Sequence, residues 1–164
     1  MDYINIDGWF DFQQIYDMAV ENAVDGDSFT EIGCYKGKST AYLCDKITKS
    51  GKRIHVTVID TFQHGTLDEF KDNVKYNDLT ILEMNSNEAH KFVGSNSFIF
   101  VDGGHDYETV KADLNNFYGK IVKGGMFAGH DYLEATCGVK KAVDEFCTER
   151  GLTVSVVGGS WVIR

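Results

Sequence analysis

The chain has 164 residues, 43% of them hydrophobic, and a formal net charge of -9. That length allows one domain with a sizeable core. No apolar run reaches the roughly 20 residues of a membrane span, and scattered lysines on an acidic surface argue against a nucleic-acid partner. Cys34, Cys44, Cys137 and Cys147 form no C-x-x-C pair, so a thiolate zinc site is not expected, and all four read as reduced core residues. The first residues, MDYINIDGWF, lack the basic-then-apolar order of a signal peptide, which makes the cytoplasm the expected location.

In chain order, Phe12, Ile15, Tyr16, Ala19, Val20 and Ala23 repeat at helical spacing and predict a helix over about 11–24. SFTEIG is a short strand ending on a glycine. KSTAYLCDKITKS is a helix closed by Gly51. RIHVTVID is a β-branched second strand, LDEFKDNVKYN a helix, LTILEM a third strand and NEAHKFV a short helix. SFIFVD is a fourth strand, YETVKADLNNFYGKI a helix, GGMFAGHD a fifth strand and GVKKAVDEFCTER the last helix. LTVSVVGGSWVIR folds back on itself at Gly158 and Gly159 as two antiparallel strands. The alternation predicts βαβ units and a mostly parallel sheet with helices on both faces. Ligands of such sheets bind beyond the carboxyl ends of the strands.

The chemistry-bearing residues fall at those ends. Gly33 and Gly37, in EIGCYKGKST, have three residues between them. A phosphate-binding P-loop needs four, and Glu31 would repel a triphosphate. A glycine loop opening a helix instead suits close approach of backbone to a ligand with a cationic or hydroxyl-bearing part. Asp60 ends the second strand, where an acid accepts from ribose hydroxyls in Rossmann-type folds. Thr61 follows it, and Phe62 suits either the core or the flank of an adenine ring. Asn85 and Ser86 suit a base edge or a helix N-cap. In FVDGGHDYE, Asp106 reads as an N-cap and Asp102 lacks a comparable structural role. His105 is left open between base, ligand and hydrogen-bonded support. With His130 and Asp131 one strand over, Asp102 makes an oxygen- and nitrogen-bearing set suited to a divalent ion.

FTEIGCYKGKSTAYL, VTVIDTF, FIFVDGGHDYETVKADLNNFYGKIVKGGMFAGHDY and GVKKAVDEF together resemble the class I, Rossmann-like S-adenosylmethionine-dependent methyltransferases. The nearest branch is the small O-methyltransferases of the catechol and macrocin type, with their cephalosporin-hydroxylase-like relatives. The resemblance runs from about Gly8 onward. It implies a three-layer α/β sandwich, residues 1–164 forming one domain with 1–26 as an N-terminal helical segment. The implied sheet is seven-stranded, in order 3-2-1-4-5-7-6 with strand 7 antiparallel.

The resemblance also implies roles. Glu31, Gly33 and the loop of Cys34, Tyr35, Gly37 and Ser39 hold the methionine part of the cofactor. Asp60, with Thr61 and Phe62, takes the ribose and its surroundings, and Asn85 and Ser86 lie near the adenine. Asp102 sits by the methyl group and the metal. Asp102, His130 and Asp131 are the implied ligands of Mg2+ or Mn2+, His130 standing where catechol-type enzymes carry an aspartate. Asp102 and His105 are the candidate catalytic residues.

The expected reaction is O-methylation of a small hydroxylated acceptor by S-adenosylmethionine. The expected partner is that small molecule, with neither nucleic acid nor membrane. No long insertion supplies a substrate lid, which leaves the acceptor pocket open or completed by another subunit of a homo-oligomer. Two other readings remain: a non-catalytic module binding an adenosine cofactor, and an NAD-dependent oxidoreductase, which the G-x-x-x-G spacing disfavours.

Overall fold

The computed structural model describes residues 3–63, 65–133 and 138–163; Cys137, assigned to the core above, lies outside them. Seven strands form one sheet: β1 (Ser28–Ile32), β2 (His55–Asp60), β3 (Leu79–Glu83), β4 (Asn96–Val101), β5 (Ile121–Gly129), β6 (Val154–Val157) and β7 (Ser160–Ile163). Their order is β3-β2-β1-β4-β5-β7-β6. All pairings are parallel except the two made by β7. The helices are α1 (Gln13–Asn22), α2 (Lys38–Ser50), α3 (Leu67–Asn73), α4 (Ser86–Ala89), α5 (Tyr107–Phe117) and α6 (Val139–Arg150).

Alternation along the strands divides the core in two. Phe29, Phe98 and Phe100 face one side, where α1, α2 and α3 cover them. Ile32, Ile99 and Val101 face the other, under α4, α5 and α6. Both faces are buried, so the central strands read as near-continuous apolar runs.

Two elements depart from the sequence reading for tertiary reasons. The helix expected over 67–77 stops at Asn73. Val74 turns extended and buries its side chain, and the Tyr76 hydroxyl then donates to the Ile54 carbonyl at 2.6 Å. The fifth strand begins at Ile121 rather than near Gly124, and its register on β4 shifts between Asn96 and Phe98. Gly124, at φ +85, supplies the backbone conformation that the irregularity requires.

Asp113, mid-way along α5, is 1% exposed. Its carboxylate oxygens meet no donor in hydrogen-bonding geometry, although the nearby Ser86 hydroxyl partly offsets the burial that pushes its pKa up to about 6. The folded chain therefore holds this proton more tightly than the unfolded chain. The associated stability is present below about pH 4 and is lost as pH rises toward 6. Asp113→Asn is expected to raise stability by about 2 kcal/mol at pH 8, with the gain shrinking toward pH 4. Urea melts of both proteins at the two pH values check this; equal stability at pH 8 would contradict it.

Candidate active site

β1 pairs with β2 on one side and β4 on the other, so the chain leaves their carboxyl ends in opposite directions. The divergence opens a cleft of about 790 Å³. Two hydrogen bonds pin its floor: Gly33 N donates to the Ile59 carbonyl at 2.8 Å, and Asp102 N donates to the Ile32 carbonyl at 2.7 Å. Gly33 has φ +83, and a Cβ there would stand 2.0 Å from the Asp102 carbonyl oxygen. Close approach of β1 to β4, rather than room for a ligand, is what requires this glycine.

Three described residues other than glycine have positive φ: Tyr35 (46°), Phe62 (48°) and Asp131 (58°). All three line the cleft. A non-glycine residue in this region costs about 1–2 kcal/mol, and such strain persists where the surroundings over-determine it, often at functional sites.

The expected cofactor residues separate into two groups. Cys34, Tyr35, Ser39, Asp60, Thr61, Phe62, Asn85, Ser86 and Asp102 line the cleft with Gly33. Glu31 and Gly37 do not. Glu31 shares the sheet face of Phe29, which α1 and α2 cover, so its side chain points into that layer. There Oε1 accepts from the Tyr16 hydroxyl at 2.9 Å and the Ser39 hydroxyl at 2.5 Å, while Oε2 accepts from Thr40 at 2.5 Å. Burial raises its pKa to about 7, against the pull of these hydroxyls. Glu31 thus ties α1 and α2 to the strand, and it reaches the cleft only through Ser39. Gly37 caps α2 at φ 85, where a Cβ would meet Val74 at 2.6 Å and Phe70 at 2.8 Å.

Asp60 organises the loops around it. Its Oδ2 accepts from the backbone N–H groups of Cys34 and Tyr35 at 2.9 Å each, and Oδ1 accepts from Phe62 N at 2.7 Å. A carboxylate has about four acceptor positions, so one remains for a ligand hydroxyl. The Phe62 ring packs on Phe70, 5.5 Å between centroids. Asn85 caps α4, accepting from Asn87 N at 2.9 Å. Burial holds the Cys34 thiol far above its ordinary range.

At the β4–β5 end, ligand atoms of Asp102, His105 and Asp131 all lie within 4.8 Å of one another. His105 Nε2 is 3.0 Å from Asp131 Oδ2 and 3.8 Å from Asp102 Oδ1. Asp102 foremost, and Asp131 with it, hold the imidazole above its ordinary pKa, although Asp131 is the nearer. Burial raises Asp102 in turn. The triad expected from sequence had His130 in place of His105. His130 N donates to the Val101 carbonyl, and its side chain turns toward the N-terminal segment. Its Nε2 is 2.9 Å from Asp11 Oδ1, close enough for an ion pair but misaligned for a hydrogen bond. Phe12 packs on its ring at 5.0 Å. Only Nδ1 of His130 faces Asp131, at 3.2 Å.

Trp9, Asp7, Gln63 and Thr109 also line the cleft, and the sequence reading assigned none of them. An isolated tryptophan beside a glycine, outside any periodic segment, was the available signal for Trp9.

A model of the "Methyltransferase domain" family matches residues 30–132, more than half of the chain. Among solved structures, the O-methyltransferase NovP superposes with a TM-score of 0.78 at 19% identity, over 93% of this chain and 78% of NovP. CalS11, a TDP-rhamnose 3'-O-methyltransferase of calicheamicin biosynthesis, gives 0.66 at 14%, over 93% and 76%. SMU.1697c of Streptococcus mutans, in complex with SAH, gives 0.70 at 12%, over 96% and 97%. No curated protein matches the sequence. No helix among the described residues is long and apolar enough to cross a membrane. With most of β1, all of β2 to β5, the glycine loop and the Asp102 cluster inside the matched segment, the chain belongs to the methyltransferase-domain family and carries its Rossmann-like fold.

Proposed function

We propose that the protein transfers a methyl group from S-adenosylmethionine to a hydroxyl oxygen of a small acceptor. The observation that carries this reading is the placement of Asp102, His105 and Asp131 in the same cleft as the Gly33–Ser39 loop and Asp60. The two groups occupy the ends of adjacent strands. A cofactor held by the loop would therefore present its reactive end to the cluster.

Asp60 keeps an acceptor position for a ribose hydroxyl while fixing the loop through three backbone amides. Asn85 and Ser86 close the far side, where the base would lie. Two carboxylates and an imidazole within a few ångströms also fit a divalent cation of the Mg2+ or Mn2+ kind. When bound, S-adenosylmethionine supplies an activated methyl, and such a cation would acidify the acceptor hydroxyl. Of the chain's own groups, His105 would take the acceptor's proton on Nδ1, while Asp131, 3.0 Å from Nε2, orients the ring. Asp102, at the floor, fixes the acceptor beside the methyl group. Positioning is the main task, because the donor is already activated.

Calorimetry with S-adenosylhomocysteine, NAD and ATP tests the cofactor half, with binding expected for the first alone. Methyl transfer from labelled S-adenosylmethionine to hydroxylated compounds tests the rest. Tight binding of S-adenosylhomocysteine with no transfer to any acceptor would favour a non-catalytic module instead.

A further inference from the structure

We propose that Asp11 is a positioning residue for methyl transfer: through the His130 ring it fixes the Asp131 carboxylate, which in turn holds His105. This rests on the methyl-transfer reading above.

Carboxylate and imidazole side chains alternate from the N-terminal segment to the floor of the cleft. Asp11 Oδ1 is 2.9 Å from His130 Nε2, and His130 Nδ1 is 3.2 Å from Asp131 Oδ1. The other oxygen of Asp131, Oδ2, is 3.0 Å from His105 Nε2, and Asp102 Oδ1 stands 3.8 Å from the same nitrogen. Asp131 therefore meets one imidazole with each oxygen. The ring on one side governs how the carboxylate is presented to the ring on the other. The backbone of Asp131, at φ 58, is held in a sparsely populated conformation of the kind that gathers at functional sites.

His130 can transmit a position because its ring is boxed in. Phe12 packs on it with 5.0 Å between centroids. From the turn between β6 and β7, a Cβ on Gly159 would stand 3.2 Å from Nε2. That nitrogen is buried without a hydrogen bond, so the charge of Asp11 is what offsets its burial. A misaligned contact acts through charge rather than direction. An amide of the same size cannot replace it.

Docking of the N-terminal segment does not depend on Asp11. Phe12 stacks on Phe100 at 4.5 Å and meets Phe10 edge-on at 4.8 Å. The Gln13 side-chain amide donates to the Phe10 carbonyl at 3.1 Å. An ion pair whose carboxylate is 51% exposed adds little to stability. Its effect on position is the larger one, since misplacing a reacting group by about 1 Å can cost on the order of 10²-fold in rate. Asp11 lies upstream of residues 30–132, the segment matched by the family model, so the site takes a supporting residue from outside that segment.

The test reads the imidazole nitrogens of protein carrying nitrogen-labelled histidine, saturated with S-adenosylhomocysteine in EDTA, by long-range correlation NMR. His105→Gln and His130→Gln assign the two rings. Asp11→Asn is expected to shift the resonances of His105, two side chains away, along with those of His130. Its melting temperature and S-adenosylhomocysteine affinity are expected to match wild type. Gln13→Ala loosens the same segment but keeps the charge, and is expected to leave His105 in place. Asparagine tolerates positive φ, so Asp131→Asn cuts the path without breaking the turn. In that background Asp11→Asn is expected to cause no further shift in His105. In the methyl-transfer assay, Asp11→Asn is expected to lower kcat about tenfold or more at an unchanged KM for S-adenosylmethionine. An unmoved His105 in Asp11→Asn, an equal shift in Gln13→Ala, a shift that persists in the Asp131→Asn background, or full turnover of Asp11→Asn would each overturn the proposal and leave the methyl-transfer reading standing. Failure of S-adenosylhomocysteine to bind wild type, or no transfer to any acceptor, would instead remove the reading on which the proposal rests.

Discussion

Replacing Gly33 with alanine is expected to destabilise the protein by on the order of 4 kcal/mol or more, a magnitude reserved for a few specific mechanisms. Two of them act together here. The residue sits at φ +83, which costs a side chain about 1–2 kcal/mol. The new Cβ would also stand 2.0 Å from the Asp102 carbonyl oxygen and 2.5 Å from its carbon, both backbone atoms of β4's end. Neither can move without breaking the bond from Asp102 N to Ile32 that holds the cleft floor. Gly51, which ends α2 at φ 73 with nothing within 4 Å of its Cβ position, isolates the first mechanism. Gly51→Ala should lower the melting temperature by a few degrees and Gly33→Ala by about 10 °C or more, given roughly 2–4 °C per kcal/mol at this chain length. Similar shifts for the two variants, measured by calorimetry, would mean that the strands part easily at the switch point.

His105→Ala is expected to lower turnover by about 10²–10⁴-fold, the usual contribution of a positioned proton acceptor, while leaving S-adenosylhomocysteine affinity unchanged. The residue is half exposed at the cleft mouth, and its Nε2 has only carboxylate neighbours, so its removal disturbs no core contact. Asp131→Ala should lower activity as well, through loss of the ring's orientation. EDTA separates two ways in which the cluster can work. If a cation held by Asp102, His105 and Asp131 acidifies the acceptor, chelation stops turnover and Mn2+ or Mg2+ restores it. If His105 takes the proton unaided, activity survives EDTA. Full activity of His105→Ala in either condition would remove the cluster from the mechanism.

The sequence by itself determined the sheet order, because the βαβ alternation and the family resemblance act on the whole chain at once. Hydrophobic runs such as FIFV fix which segments are buried strands, and the Gly158–Gly159 turn fixes the antiparallel return of β7 on β6. The strand ends, and with them Asp60, Asp102 and Asp131, followed from that order. Asp106 as the cap of α5 was equally legible, since capping is a local interaction: its side chain accepts from Thr109 N.

The tertiary structure decided where side chains point once a strand ends. Glu31 reads as a cofactor ligand from its position, but strand alternation turns it into the α1–α2 layer, where hydroxyls from two distant segments take both oxygens. His130 and His105 are interchangeable in a motif. Their assignment depends on Asp11 and Phe12, more than a hundred residues upstream of His130, which draw that imidazole aside and leave His105 facing the two aspartates. Gly33 was legible as a glycine requirement but not in its cause, because the atom it must avoid belongs to β4, and only the pairing of β1 with β4 brings that carbonyl to its Cα.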